Sequence, residues 1–292
     1  MIIGKTRKIV ALAEKIAQFG KINSPVLVVG EAGSGKDTVV TALYDCQNEF
    51  TKFEKIDAER FLLPEFQQYI FGNNGIPGLL EKNDTFLFVD NLDLLPVKIQ
   101  LKILDIIEYN EMSPIDSIEK ISIKSRLVFS SSVSPGSMEG LRFDLLNRLS
   151  LLTLSIPPLR ERKEDIILLA DYFLNKFNLK YEKKLVFNQE FYSFLVHYDY
   201  PGNVRELENL IESIVIVSSK KTIDYADLPE WIWEMGKSAK VDLPVMSIRE
   251  SEKNLIQKVL NLHNGNRNKA ASVLEISERN LYRKIREYDL NS

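Results

Sequence analysis

Eight residues, "GEAGSGKD" (30–37), carry the clearest chemistry in the chain. Gly30, Gly35 and Lys36 fit the spacing G-x-x-x-x-G-K, directly after the apolar run "PVLVVG" (25–30) and at the start of a helix-like segment. Glycines let the backbone curl until its N–H groups surround a phosphate, the helix N-terminus adds positive potential, and the lysine reaches the outer phosphates. The pattern points to ATP or ADP held by Gly30, Glu31, Ala32, Gly33, Ser34, Gly35, Lys36, Asp37 and Thr38. A Gly-rich turn without a ligand is the plain alternative. The Ser or Thr that usually follows the lysine and contacts magnesium is Asp37 here. A second stretch, "TFLFVDN" (85–91), brings an apolar run to Asp90, where a magnesium-directing carboxylate is expected. An acid that activates water belongs next. Asn91 stands there, and an amide cannot accept a proton at neutral pH. Asn91 either orients water by hydrogen bonding or only caps the strand, in which case the site binds nucleotide and does little chemistry.

The segments that position these groups alternate in period. "PVLVVG" (25–30), "FEKIDA" (53–58), "TFLFVD" (85–90), "SRLVFSSS" (125–132) and "LLTLSI" (151–156) read as strands. Residues 36–50 and 97–110 carry apolar positions at helical spacing. Buried strands alternating with helices predict an α/β fold with a parallel sheet covered on both faces, and the Asp90 strand is expected beside the phosphate loop. After "PPLRER" (157–162) only helices are predicted. "EMGKSAKVDLPVMS" (234–247) has Gly, Pro and Lys without apolar period and reads as a linker, and a last helical unit runs from about 247 to 290.

Composition narrows the class. A chain of 292 residues with 45 % apolar and 27 % charged residues is an ordinary globular protein. Its single cysteine, Cys46, permits no internal disulfide and points to a reducing cytoplasm. No apolar run approaches the roughly 18 residues of a membrane span. The net charge of −3 divides unevenly: from Arg249 onward there are nine Lys/Arg and six Asp/Glu, so the tail is positive on an acidic body. A basic tail suggests contact with nucleic acid, and a solvated charged helix explains it equally well.

Three stretches, "PPLRERKEDI" (157–166), "YPGNVRELEN" (200–209) and the C-terminal helical unit, make the chain resemble the AAA+ activators of sigma-54 RNA polymerase. The likeness runs from "IIG" (2–4) to "LYRKIREYDL" (281–290). It implies an AAA+ P-loop core over 1–158, a helical lid over 159–233, a linker over 234–246 and a small all-α Fis-type helix-turn-helix over 247–292. The receiver or ligand-sensing domain common in that family is expected to be absent, since the core starts at residue 2. Family roles then carry over by position. Adenine sits near Ile3 and Gly4; Asp90, with Asp37, directs magnesium; Arg142 and Arg148 match arginine fingers that reach a neighbouring subunit's nucleotide; and Arg205 matches the lid arginine that reports the phosphate state. For Arg142 and Arg148 the other reading is a solvated helix face.

The departures from the family pattern fall on one chemical pathway. The catalytic Glu is Asn91, the Asn that restrains that Glu is Asp57, and the sensor Asn is Ser132. The G-A-F-T-G-A hairpin that touches the sigma factor is replaced by "NNGIP" (73–77), too short for a hairpin between Gly72 and Gly78.

"NGNRNKAASVLEISERNLYRKIREYDL" (264–290) resembles the Fis-type helix-turn-helix, with Leu281 and Ile285 inward and Arg279, Asn280, Arg283, Lys284 and Arg286 left to meet double-stranded DNA. A charged capping hairpin is the alternative. Glu275 stands where the family usually has a turn Gly, and "SIRESEKNLIQKVLNLH" (247–263) has the face of a dimerisation helix. The combined expectation is a DNA-binding transcriptional regulator with a nucleotide-binding, hydrolysis-impaired core that acts independently of sigma-54. Its expected assemblies are a dimer through the C-terminal unit and a nucleotide-dependent ring, with RNA polymerase as a further partner. A slow but active ATPase that remodels RNA polymerase or another partner is the second reading, and a purely structural oligomerisation module the third.

Overall fold

The computed structural model describes residues 2–47, 49–73, 75–82, 84–138, 140–229, 231–232, 256–257, 259–260, 266–274 and 276–288. The chain divides into two compact units, Met1–Ala239 and Lys240–Ser292. The linker reading over 234–246, most of the dimerisation helix 247–263, and the Glu275 turn lie outside the described residues.

The first unit is built on five parallel strands: β1 (Val26–Val29), β2 (Lys52–Asp57), β3 (Thr85–Asp90), β6 (Arg126–Ser131) and β7 (Thr153–Ser155), in the spatial order β2-β3-β6-β1-β7. The continuous apolar runs at β1 and β3 are what a strand covered on both faces requires. Alternate residues go to opposite sides. Leu27, Val29, Leu87, Val89, Leu127 and Phe129 pack beneath α3 (Pro64–Phe71), α4 (Val97–Tyr109) and α5 (Phe143–Leu149). Val26, Val28, Phe86, Phe88, Val128 and Leu154 pack beneath α1 (Arg7–Gly20) and α2 (Lys36–Asp45).

Two details differ from expectation. β3 does not lie beside the phosphate-loop strand: β6 pairs with both β1 and β3 and separates them. This places Ser130, Ser131 and Ser132 between the loop and Asp90. After residue 162 the chain is not wholly helical. Around α6 (Lys163–Lys180), α7 (Gln189–His197) and α8 (Asn203–Val217) it forms a short parallel pair, β8 (Val186–Phe187) between α6 and α7 with β9 (Thr222–Ile223) after α8. Two-residue strands leave too few positions for a period to show. The same holds for the antiparallel pair β4 (Glu111–Met112) and β5 (Ile121–Ser122).

The segment after α3 is a tight turn. Asn73 and Ile76 exchange backbone hydrogen bonds at 3.0 and 3.2 Å, Gly72 (φ 74°) and Gly75 (φ 101°) take left-handed conformations, and the Gly72 carbonyl accepts from Ile115 N at 2.9 Å. A Cβ at Gly78 would lie 2.2 Å from Gly72 N, so the two ends of the segment close on each other.

The second unit has its own core: Ile256, Val259, Leu260, Ala270, Ala271, Leu281, Ile285 and Tyr288. Its helices α9 (Arg267–Val273) and α10 (Glu278–Glu287) meet over Ala270 and Ala271, which are small enough for close approach. Ser277 caps α10 by accepting from Asn280 N at 3.3 Å.

Candidate nucleotide and nucleic-acid sites

The phosphate loop joins β1 to α2 and turns on two glycines with positive φ, Gly33 (72°) and Gly35 (109°). Gly33 serves a second purpose. A Cβ there would lie 2.2 Å from the Gly202 carbonyl, so only glycine lets the segment before α8 lie against the loop. The Gly33 carbonyl then accepts from Arg205 N at 3.2 Å.

Two cavities flank the loop. One of 380 Å³ is lined by Ile2, Ile3, Ile9, Leu12, Val39, Ile156 and Leu169, with Tyr172, Lys176 and Glu208 among its polar residues. Its aliphatic walls and its two aromatic residues, Tyr172 and Phe173, suit a planar heteroaromatic base. Ile3 lies in this wall as expected. Gly4 does not: it packs on Asp165, which accepts from Lys5 N at 2.7 Å and from the Thr6 hydroxyl at 2.6 Å. The other cavity, 340 Å³, gathers Ala32, Gly33, Gly35, Lys36, Asp37, Thr38, Asp90, Asn91, Ser132 and Arg205. Ser34, Gly35 and Thr38 also face the first cavity. Gly30 and Glu31 line neither cavity.

Lys36 donates to the Gly30 carbonyl and to Ser132 Oγ, both at 2.9 Å, and burial pulls its ammonium below the ordinary lysine value. Asp90 accepts from the Ser130 hydroxyl and from Asn91 N at 3.2 Å. Burial pushes its carboxyl up, but the Ser130 hydroxyl, Lys55 and Lys36 outweigh it and hold the group below the usual range. Asn91 sits in the left-handed region (φ 58°), and its Nδ2 donates to Asp57 Oδ2 at 2.7 Å. The other oxygen of Asp57 accepts from Glu59 N at 3.0 Å and caps the short 3-10 helix 58–62. An amide–carboxylate pair thus spans the ends of β3 and β2, with the amide facing the phosphate cavity and the carboxylate on the edge strand.

Asp37 and Asp90, the expected magnesium ligands, share Lys55: its Nζ forms an ion pair with Asp37 Oδ1 and lies 3.3 Å from Asp90 Oδ2. A cation supplied by the chain thus already stands between the two carboxylates.

Sequence reasoning missed the grip on Glu31. Arg160 donates to its two carboxylate oxygens at 2.6 and 2.8 Å, and Asn203 Nδ2 donates at 3.0 Å. Arg160 and then Asn203 hold this carboxyl down at about 2. Asn203 also donates to the Ala32 carbonyl at 3.1 Å and accepts from Leu159 N at 2.8 Å, while buried Arg162 donates to the Ser34 carbonyl at 3.0 Å. The signal was present in "PPLRER" and "GNVREL", but their target was not.

Arg142 and Arg148 line neither cavity. Arg142 holds Asp144 through two hydrogen bonds, at 2.6 and 3.1 Å, and Arg148 holds Glu108 at 2.9 Å; all four side chains are at least partly exposed. On α10, Leu281 and Ile285 are buried while Arg279, Arg283 and Arg286 are exposed. Arg283 donates to Asn280 Oδ1 at 3.0 Å, and the Lys284 ammonium lies over the Tyr288 ring at 5.8 Å.

Family models match three consecutive stretches: a sigma-54 interaction domain over residues 2–155, an AAA+ ATPase lid domain over 160–243, and a bacterial regulatory protein of the Fis family over 247–288. The regulatory protein AtoC of Escherichia coli K12 is 30 % identical over 96 % of this chain, which spans 66 % of AtoC. A signal-transduction and transcriptional-control protein of Clostridium beijerinckii is 28 % identical over 99 % of this chain, which spans 48 % of that protein. The chain thus covers about half to two thirds of these relatives. The crystal structure of NtrX from Brucella abortus in complex with ATP superposes with a TM-score of 0.72 at 23 % identity, over 99 % of this chain and 70 % of that one. The fold is that of an AAA+ core with its lid and a C-terminal helix-turn-helix, and with the family model covering more than half of it the chain belongs to the sigma-54 interaction domain family.

Proposed function

We propose that this protein is a DNA-binding transcriptional regulator whose AAA+ domain binds ATP or ADP, hydrolyses it far more slowly than a working motor, and acts independently of sigma-54. The observation that carries the reading is Asn91. The residue after Asp90 faces the phosphate cavity with an amide, and that amide is committed to Asp57. Nucleotide binding is supported by the curled loop and the apolar cavity beside it, and by the ATP held in the NtrX structure, a protein of the same fold. In this reading Lys36 and Arg205 meet the phosphates, Ile3 lies against the base, and the domains divide near residues 158, 233 and 246.

Regulation without sigma-54 is supported by the closed turn at 72–78, where the family's contact hairpin would project. DNA is met by Arg279, Asn280, Arg283, Lys284 and Arg286 on α10, with Arg reading guanine, Asn reading adenine and Lys gripping phosphate. Arg142 and Arg148 serve as fingers between subunits of a nucleotide-dependent assembly, exchanging Asp144 and Glu108 for a neighbour's phosphates. A ligand shared in this way favours the assembled state by its differential affinity.

One observation favours slow turnover over none: the amide–carboxylate pair survives with its members exchanged, so a carboxylate still lies 2.7 Å from Asn91. The test is transcription in vitro with purified polymerase carrying each sigma factor, alongside phosphate release. The expected outcome is DNA-dependent regulation of the ordinary sigma enzyme and turnover well below about 1 s⁻¹. Open-complex formation by the sigma-54 enzyme driven by this protein and ATP would falsify the reading.

A further inference from the structure

We propose that the Lys55 ammonium takes the place of a divalent cation in the phosphate cavity, so that nucleotide is bound without one. The assignment rests on the nucleotide-binding reading above. The divalent site of such a cavity needs free carboxylate oxygens, because a small hard cation demands near-ideal octahedral coordination by oxygen at about 2.0–2.1 Å. Here the two candidate carboxylates come from α2 (Asp37) and β3 (Asp90), and both are joined to Lys55. The second oxygen of Asp90 is engaged by the Ser130 hydroxyl and Asn91 N. A dication entering between the carboxylates would have to break these contacts and stand against the ammonium.

Sheet register brings Lys55 within reach of both carboxylates. β2 and β3 run parallel with Lys55 opposite Phe88 and Asp57 opposite Asp90. The lysine stem crosses the Phe88 ring, with Nζ 5.2 Å from its centroid, and reaches the strand ends where Asp90 and the start of α2 converge.

The same geometry suits a polyphosphate. Lys55 does not line the cavity itself; it stands behind Asp37 and Asp90, which do, and neutralises them from there. Three carboxylates border the phosphate site, Asp37, Asp90 and Glu208, and would repel the ligand if unneutralised. With Lys55 paired to the first two and Lys176 to Glu208, Lys36 and Arg205 remain as positive groups facing the cavity. The class of ligand is a nucleoside di- or triphosphate free of metal.

The experiment is calorimetric titration of the full chain with ATP, once in excess EDTA and once in excess magnesium. For the wild type the two dissociation constants are expected to agree within about threefold. Lys55→Met keeps an apolar stem over Phe88 and removes the charge. It is expected to bind at least tenfold more weakly in EDTA and to recover when magnesium is added, since the freed carboxylates then accept the metal. The Lys55 side chain is 42 % exposed, so the variant should fold, and an unchanged melting temperature verifies this. A wild-type loss of more than threefold on chelation overturns the assignment. So does a Lys55→Met variant that loses less than tenfold in EDTA. No binding by the wild type in either buffer removes the nucleotide reading itself, and the cation assignment with it.

Discussion

The two cavities beside the phosphate loop share Gly35 and Thr38 but are built on different principles. The first is walled by aliphatic side chains from α1, α2 and α6, and Ile9, Leu12, Val39 and Leu169 in its wall are buried, so its shape is fixed by packing. The second is walled by charged and polar groups, and nearly every one is already bonded to another: Lys36 to Ser132, Asp37 and Asp90 to Lys55, Asn91 to Asp57. The apolar cavity keeps what binding a base requires. In the polar cavity, Asn91 is tied to Asp57, and Asp37 and Asp90 each pair one oxygen with Lys55. A binding site tolerates exchange of chemistry at one end because affinity is summed over the whole ligand, whereas turnover depends on interactions made only in the transition state.

The strongest way to break this contrast is to remove the one polar group that binding cannot spare. Lys36→Ala should weaken ATP binding by about 30–100-fold, the equivalent of roughly 2–3 kcal/mol for a lost charge-assisted contact. Calorimetry measures it directly. An unchanged affinity would mean that the polar cavity is not where the phosphates sit.

The exchange of chemistry can be reversed. Asn91→Glu with Asp57→Asn restores an acid facing the cavity and an amide restraining it, and should raise phosphate release by about 100-fold, the lower end of a positioned base's contribution. Asn91→Glu alone should do less, because two carboxylates would then face each other where an amide and a carboxylate now share a 2.7 Å hydrogen bond. Equal rates for the single and double variants would show that the Asp57 partner is immaterial.

Gly33→Ala tests whether the lid and the loop are one piece. The added Cβ meets the Gly202 carbonyl at 2.2 Å, and the backbone is at φ 72°. About 2 kcal/mol of combined strain and displacement should lower the melting temperature by about 4–8 °C. Scanning calorimetry with and without ATP should show the ligand-induced rise reduced as well.

The smallest effect concerns Glu31. Its carboxyl titrates at about 2 in the folded chain against 4.5 for the free group, held down first by Arg160. A depressed folded value means stability that is complete above about 4.5 and lost as pH falls towards 2. The pair with Arg160 is exposed, so its contribution is under about 1 kcal/mol. Arg160→Ala should flatten the acid limb of the stability curve between those values and leave stability at pH 7 within that amount. Chemical denaturation at several pH values measures both.

Much of this was legible before any coordinates. β3 spans Thr85–Asp90 and α4 spans Val97–Tyr109, nearly as the apolar periods dictate, because long buried segments report their own backbone conformation. α2 ends at Asp45, short of the 36–50 expected, since helix ends depend on capping more than on period. The phosphate loop, Asp90 and Asn91 were visible as types at fixed spacing, and the inward pair Leu281 and Ile285 of α10 followed from a four-residue step. None of these needs a distant partner to be read.

What only the tertiary structure decided is which groups meet. Asn91 and Asp57 are 34 positions apart, and Lys55 and Asp37 are 18 apart. Arg160 and Glu31 are 129 apart. Such meetings depend on strand order and register, and β6 inserted between β1 and β3 was not inferable from any local period. Sequence fixes local conformation because propensity and burial act within a few residues. Charge pairing across a sheet is fixed by the packing of whole elements, and that packing sets Lys55 between Asp37 and Asp90.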